Sequence, residues 1–114
     1  MQSKATDLIQ KHCVPCEGGT KPLTQEEAAP YLQAVPHWIV DDEGKKIKRT
    51  FVFKDFMEAV DFINRIAAVA QQEGHHPDLK LFNYKKVSVT LSTHAINGLS
   101  TNDFILAAKT DTLV

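Results

Sequence analysis

Five histidines, His12, His37, His75, His76 and His94, are the residues of this chain best suited to acid–base chemistry. A free imidazole titrates near pH ~6.5, so both protonation states are on hand at neutral pH. His75 and His76 stand between Gly74 and Pro77. Glycine commonly ends helices, and proline holds the residue before it in extended backbone. The pair therefore belongs at a helix-to-strand junction, where side chains can be held at the rim of a cleft. The segments after Pro77 and before His94 read as a hairpin turning near Tyr84 and Lys85. Partners in such a hairpin have numbers summing to about 169–170, the spread coming from the turn type. His94 then falls opposite His75 or His76, at the ~4.5–8 Å of cross-strand and diagonal neighbours. Three imidazoles are expected to gather at one end of the hairpin.

Three gathered imidazoles admit three roles. General acid–base catalysis is the first. A three-histidine metal site is the second, but neighbouring residues in extended chain point to opposite faces, so His75 and His76 do not readily ligate one ion and no metal is expected. The third is capping of a helix C-terminus, which an imidazolium favours; convergence of three makes this the weaker account. Asp103 follows Ser100 by three residues, the spacing of a capping box, and its carboxylate can also orient an imidazole near His94. Thr93, at a strand end, can offer a hydroxyl to a ligand, although such a residue also serves structure alone.

The elements that position these groups follow from local signals. Thr24-Gln25-Glu26-Glu27 is a capping box that starts a helix running toward Ala34, with Pro30 expected to kink or shorten it. His37–Val40 reads as a short strand, Asp41–Gly44 as a turn, and Lys45–Phe53 as a second strand of period two whose apolar phase Arg49 interrupts. Asp55 with Glu58 starts the longest helix and Gly74 stops it. Its apolar residues, among them Phe56, Met57, Val60, Phe62, Ile63 and Ile66, cover far more than the ~100° stripe that one sheet face needs. A subunit interface is the expected use of the excess. Leu79–Tyr84 and Val87–Thr93 are the next strands, and a last helix spans about Thr101 to Lys109. The order α-β-β-α-β-β-α describes an α+β, two-layer domain: a four-stranded antiparallel sheet with helices on one face. Residues 1–22 read as an N-terminal arm, and 23–114 as the domain.

Composition narrows the function further. The chain has 114 residues with 13 basic and 14 acidic side chains, a formal charge of -1, and 43% hydrophobic residues. One globular domain with a real core fits this length. A near-zero charge argues against nucleic acid or an anionic membrane surface as partner. No apolar run reaches the ~20 residues of a membrane span, and the start lacks the apolar stretch of a secretory signal. Cys13 and Cys16 form a single CxxC followed by Glu17-Gly18-Gly19-Thr20, which reads as loop. A structural zinc site usually needs two such pairs, and a thioredoxin-like pair sits between strand and helix, so reduced thiols on an arm are expected, in keeping with a cytoplasmic location.

The run Gly74-His75-His76-Pro77, followed at fixed distances by Tyr84, His94 and Asp103, resembles the pterin-4a-carbinolamine dehydratase family. Thr90-Leu91-Ser92-Thr93-His94, Gly98-Leu99-Ser100, Phe51 with Phe53, and His37-Trp38 are similar to it as well, and the likeness runs from Leu23 to Lys109. The resemblance implies the α+β order already read. It implies a hydro-lyase that removes water from 4a-hydroxytetrahydropterin to give quinonoid dihydropterin, with no metal or organic cofactor, in recycling the tetrahydropterin used by aromatic amino acid hydroxylases. It assigns His75, His76 and His94 as catalytic, and His76, Pro77, Thr93, Asp103 and Glu73 as the expected substrate contacts. His75 and His94 are expected to share the acid and base roles and His76 to orient the pterin. Homodimers built by sheet extension, and homotetramers built through the long helix, are the implied assemblies. The family usually carries an acidic residue four positions before the first histidine; here that position is Gln71, which leaves histidine tuning either weaker or supplied by Glu73. The competing function is a protein-interaction module, since in animals the same fold also acts as a transcriptional coactivator by binding a homeodomain factor.

Overall fold

The computed structural model describes residues 4–14 and 21–114. The expected loop at 17–20, and Cys16 with it, lie outside the described residues. The elements are α1 (Lys4–Ile9), α2 (Gln25–Ala34), β1 (Ile39–Val40), β2 (Ile47–Val52), α3 (Phe56–Glu73), β3 (Asp78–Phe82), β4 (Lys86–Leu91), a single 3₁₀ turn at His94–Ile96, and α4 (Thr101–Asp111). From α2 onward this is the expected α-β-β-α-β-β-α order, with α1 placed ahead of it.

The helix starts are where the side chains say they should be. Thr24 Oγ1 accepts from the Glu27 amide at 3.1 Å, and Glu27 accepts from the Thr24 amide at 2.9 Å. Asp55 accepts from the Glu58 amide at 2.9 Å. Such caps are worth about 1 kcal/mol each because they satisfy amides that the first turn leaves unpaired. The α2 helix reaches Ala34 in spite of Pro30. Packing holds it: Ala28 is buried, and Tyr31 stacks on Phe104 with ring centroids 5.2 Å apart. At the other end of α3, Gly74 takes the left-handed conformation with φ 66°, which a Cβ would disfavour.

The four strands are antiparallel in the order β1-β2-β4-β3. Consecutive strands pair as hairpins, while the central β2–β4 pair is joined through α3. Ile47 and Phe51 of β2, with Val87, Val89 and Leu91 of β4, all lie on the buried face against the helices. Lys48, Thr50 and Val52 alternate with them and face outward. Arg49 shares the inner phase because it has partners there. Its Nη1 donates to Asp111 at 2.7 Å, its guanidinium lies 4.3 Å from the Phe51 ring centre, and Trp38 Nε1 donates to the same Asp111 oxygen at 2.9 Å.

One expectation needs correction. The β3–β4 ladder pairs Asp78 with Thr90 and Phe82 with Lys86, so partner numbers sum to 168 rather than 169–170. The loop runs from Asn83 to Lys85 and centres on Tyr84, half a residue to one residue earlier than expected, with Asn83 and Tyr84 both at positive φ (47° and 52°). The apolar girth of α3 divides between core and surface. Ala59, Phe62, Ile66 and Ala70 belong to the core, with Phe62 only 1% exposed. Burial of a side chain of that size is worth roughly 1.5–3 kcal/mol. The surplus apolar surface is carried by Phe56 (49% exposed) and Met57 (65%).

Candidate active site

One cavity of about 440 Å³ is lined by Cys13, Val14, Glu73, Gly74, His75, His76, Ser92, Thr93, His94, Ala95 and Asn102. This is within the range of small-molecule sites. All three singled-out histidines line it. The ladder does not deliver them, because it ends at Asp78 and Thr90. Two local devices do. The stop at Gly74 sends His75 and His76 off the end of α3, with the His75 amide donating back to the Ala70 carbonyl. Beyond β4, Thr93 bridges Gly98, and the 3₁₀ turn between them starts at His94. A larger depression, about 680 Å³, lies on the open side of the sheet beside β1 and β2, but His37 is the one histidine in its lining.

The histidines are held differently. His75 Nε2 lies 2.6 Å from Asp103 Oδ1, and the Asp103 side chain is fully buried. The other carboxylate oxygen accepts from the Thr93 hydroxyl at 2.8 Å and from the Ser100 amide at 2.9 Å. Thr93 Oγ1 and Ser100 Oγ are also hydrogen-bonded, at 2.8 Å. Asp103 is thus the N3 residue of the α4 capping box and the partner of His75 at once. A carboxylate accepts and does not donate, so the imidazole proton sits on Nε2 and the lone pair of neutral His75 is on Nδ1. His76 Nε2 lies 3.2 Å from Gln71 Oε1. A carbonyl oxygen also only accepts, which places a proton on Nε2 there too. His94 is exposed to solvent at the rim.

The expected substrate contacts divide. His76, Thr93 and Glu73 line the cavity. Asp103 lies behind its wall with no exposed surface, and Pro77, half-buried, is next to the lining residue His76 but not part of the lining itself. Nor does Glu73 bond the histidines of the site. Its side chain, 3% exposed, accepts from Lys109 Nζ at 2.7 Å, from the Cys13 amide at 2.7 Å and from His12 at 3.1 Å. Two contacts escaped sequence reasoning: the Gln71–His76 bond, which joins residues five apart across the end of α3, and the grip of Glu73 on the arm, which has no local signal. Among the described residues no group of three or more His, Cys, Asp or Glu is placed to hold a metal ion.

Burial pushes the Glu73 carboxyl up, but Lys109, the Cys13 amide and His12 outweigh this and hold it at about 2 instead of 4.5. A lowered folded-state value means stability that is complete above the ordinary value and lost as pH falls toward the folded one. Thermal unfolding at stepped pH should therefore show a loss of stability between pH 4.5 and about 2. Glu73→Gln should flatten that window.

The comparisons with known proteins agree with this geometry. Residues 21–113 match the family described as pterin 4 alpha carbinolamine dehydratase. A Chlorobaculum tepidum protein, provisionally named a pterin-4-alpha-carbinolamine dehydratase, is 50% identical over 111 residues, 96% of this chain and 99% of its own. One from Methylococcus capsulatus with the same provisional name is 49% identical over 109 residues, covering 96% and 95%. Among solved structures, a transcriptional coactivator/pterin dehydratase from Brucella melitensis has a TM-score of 0.76 at 35% identity, matching 82% of this chain and 98% of its own. A pterin dehydratase-like RuBisCO assembly factor of the alpha-carboxysome shares the fold alone, at 22% identity and a TM-score of 0.57, over 67% of this chain and 87% of its own. With the fold, the histidine cavity and these matches all in accord, the chain belongs to the pterin 4 alpha carbinolamine dehydratase family.

Proposed function

We propose that this protein is a hydro-lyase that dehydrates 4a-hydroxytetrahydropterin to quinonoid dihydropterin, serving to recycle a tetrahydropterin cofactor. The observation that carries the reading is the convergence of three histidines on one cavity, one of them fixed from behind by a buried carboxylate. The reaction breaks the C4a–O bond and forms a C4a=N5 double bond, with loss of the N5 proton and release of water. Hydroxide leaves poorly, so an acid at the C4a oxygen and a base at N5 are the useful groups.

In this reading His75 is the base. Its Nδ1 lone pair takes the N5 proton, and Asp103 stabilises the resulting imidazolium through Nε2–H. His94, at the open rim, is the acid that protonates the departing hydroxyl. His76, tied to Gln71, orients the pterin, and Asp103 acts through His75 as a positioning residue. The direct test is turnover of synthetic 4a-hydroxytetrahydropterin by the purified chain. Dehydration no faster than in buffer ends the reading.

The reading extends to assembly. Phe56 and Met57 leave an apolar strip on α3 that a second copy would cover, and a homo-oligomer through α3 and the sheet edges is proposed. Met57→Glu should lower the mass seen by sedimentation without unfolding the chain; an unchanged mass removes α3 as the contact. The same strip is what a protein-interaction module would offer, and the name of the Brucella melitensis structure pairs coactivator with dehydratase. A cytoplasmic setting belongs with this function. Among the described residues no helix is long and apolar enough to cross a membrane.

A further inference from the structure

The segment ahead of the family match is not idle. It starts in α1, whose Leu8 is 1% exposed and belongs to the core. Five residues after Leu8 the chain reaches the edge of the histidine cavity, and Cys13 and Val14 are part of that cavity's lining. The family match begins at residue 21, so this strap lies outside it.

We propose that Cys13 and Val14 form a wall of the pterin cavity that sets substrate affinity, with Glu73 and Asn102 as the positioning residues that hold the wall in place. The proposal rests on the dehydratase reading and adds a binding element to it.

The hold is built through the backbone. The Cys13 amide donates to Glu73 Oε1 at 2.7 Å. The Val14 amide donates to Asn102 Oδ1 at 3.0 Å, and Asn102 Nδ2 donates back to the Val14 carbonyl at 2.5 Å. Cys13 Sγ adds a weaker contact to the Asn102 carbonyl oxygen at 3.7 Å. Paired donor and acceptor bonds from one side-chain amide fix the direction of a peptide as well as its distance. Both anchors are themselves rigid. Asn102 is 4% exposed on the first turn of α4, and the Glu73 carboxylate is pinned by Lys109, whose side chain is 14% exposed. Lys109 also belongs to α4, so the ends of α3 and α4 grip the strap together.

The anchors sit beside the chemistry. Glu73 is two residues before His75, and Asn102 is next to Asp103, the partner of His75. Fixing the strap therefore fixes its distance from the histidines. Val14 is 64% exposed, an apolar side chain left open at the edge of a site for a flat, heteroaromatic ring. Covering such a surface on binding is favourable at roughly 25 cal/mol per Å². A displaced strap removes the surface from the site but leaves the histidines and Asp103 where they are. Ground-state binding should fall while the chemical step is spared.

The test uses the full chain, with steady-state dehydration of 4a-hydroxytetrahydropterin and calorimetric binding of 7,8-dihydrobiopterin as a non-reacting probe. Asn102→Ala removes both side-chain bonds to Val14, and Val14→Asp puts a charge on the wall itself. In each variant KM and the probe Kd should rise about fivefold or more, with kcat within twofold of the unaltered chain. If Asn102→Ala fails to fold, Val14→Asp, at an exposed position, decides alone. Unchanged KM and Kd in the folded variants, beside normal activity of the unaltered chain, overturn the strap proposal only. An unaltered chain that neither turns over the substrate nor binds the probe overturns the dehydratase reading and the strap's role together.

Discussion

Asp103→Asn is expected to lower dehydration by about 10²–10⁴-fold, the range of a lost general base, while leaving the fold in place. The reason is the direction of the bonds around this carboxylate. One oxygen receives the Ser100 amide and the Thr93 hydroxyl, and the other faces His75 Nε2. An asparagine must keep its oxygen toward the Ser100 amide, because an N–H cannot face an N–H. Its NH₂ group is then turned toward His75, and Nε2 has to accept. The imidazole proton moves to Nδ1, so the lone pair needed at N5 of the substrate is gone. The α4 cap survives, so stability should fall only modestly. Nitrogen NMR distinguishes this from a general loss of structure: the His75 ring should change from the Nε2–H to the Nδ1–H tautomer. Full activity in a folded Asp103→Asn protein would show that the carboxylate only caps the helix.

What could be read from the sequence was set by how local each signal is. The capping boxes at Thr24 and Ser100 and the stop at Gly74 involve residues within a few positions of one another, so spacing alone reveals them. The two-residue period of Val87, Val89 and Leu91 likewise identifies a strand before its partner is known, but not that Ser88 on the other phase is buried as well. The hairpin register was missed because Asn83 and Tyr84 both take positive φ, a conformation for which tyrosine carries no sequence signal. The histidine convergence survived that error, since the 3₁₀ turn after Thr93, not the ladder, carries His94 to the cavity. Arg49 looked like a fault in an apolar phase because Asp111, its partner, is far away in sequence. The partners of Glu73 were hidden for the same reason. Its nearness to His75 suggested tuning of the pair, while its actual partners come from the arm and from α4.

Substituting His75 and His94 separately and then together should show that the two rings serve one step. Each single change to alanine should cost at least tenfold in turnover, and His75→Ala up to about 10⁴-fold, because a missing base stops proton removal from N5. If acid and base act in the same transition state, the double variant should be little worse than the poorer single one, since one missing partner already forfeits the concerted gain. The pH profiles carry the assignment. A base works only when deprotonated, so it sets the fall in kcat/KM on the acid side. An acid works only when protonated, so it sets the fall on the alkaline side. His75→Ala should therefore remove the acid limb, and His94→Ala the alkaline limb. Exchange of the two limbs would reverse the roles while keeping the pair. Retention of both limbs in both variants would leave the bound pterin itself as the titrating group, with the three imidazoles acting through binding alone.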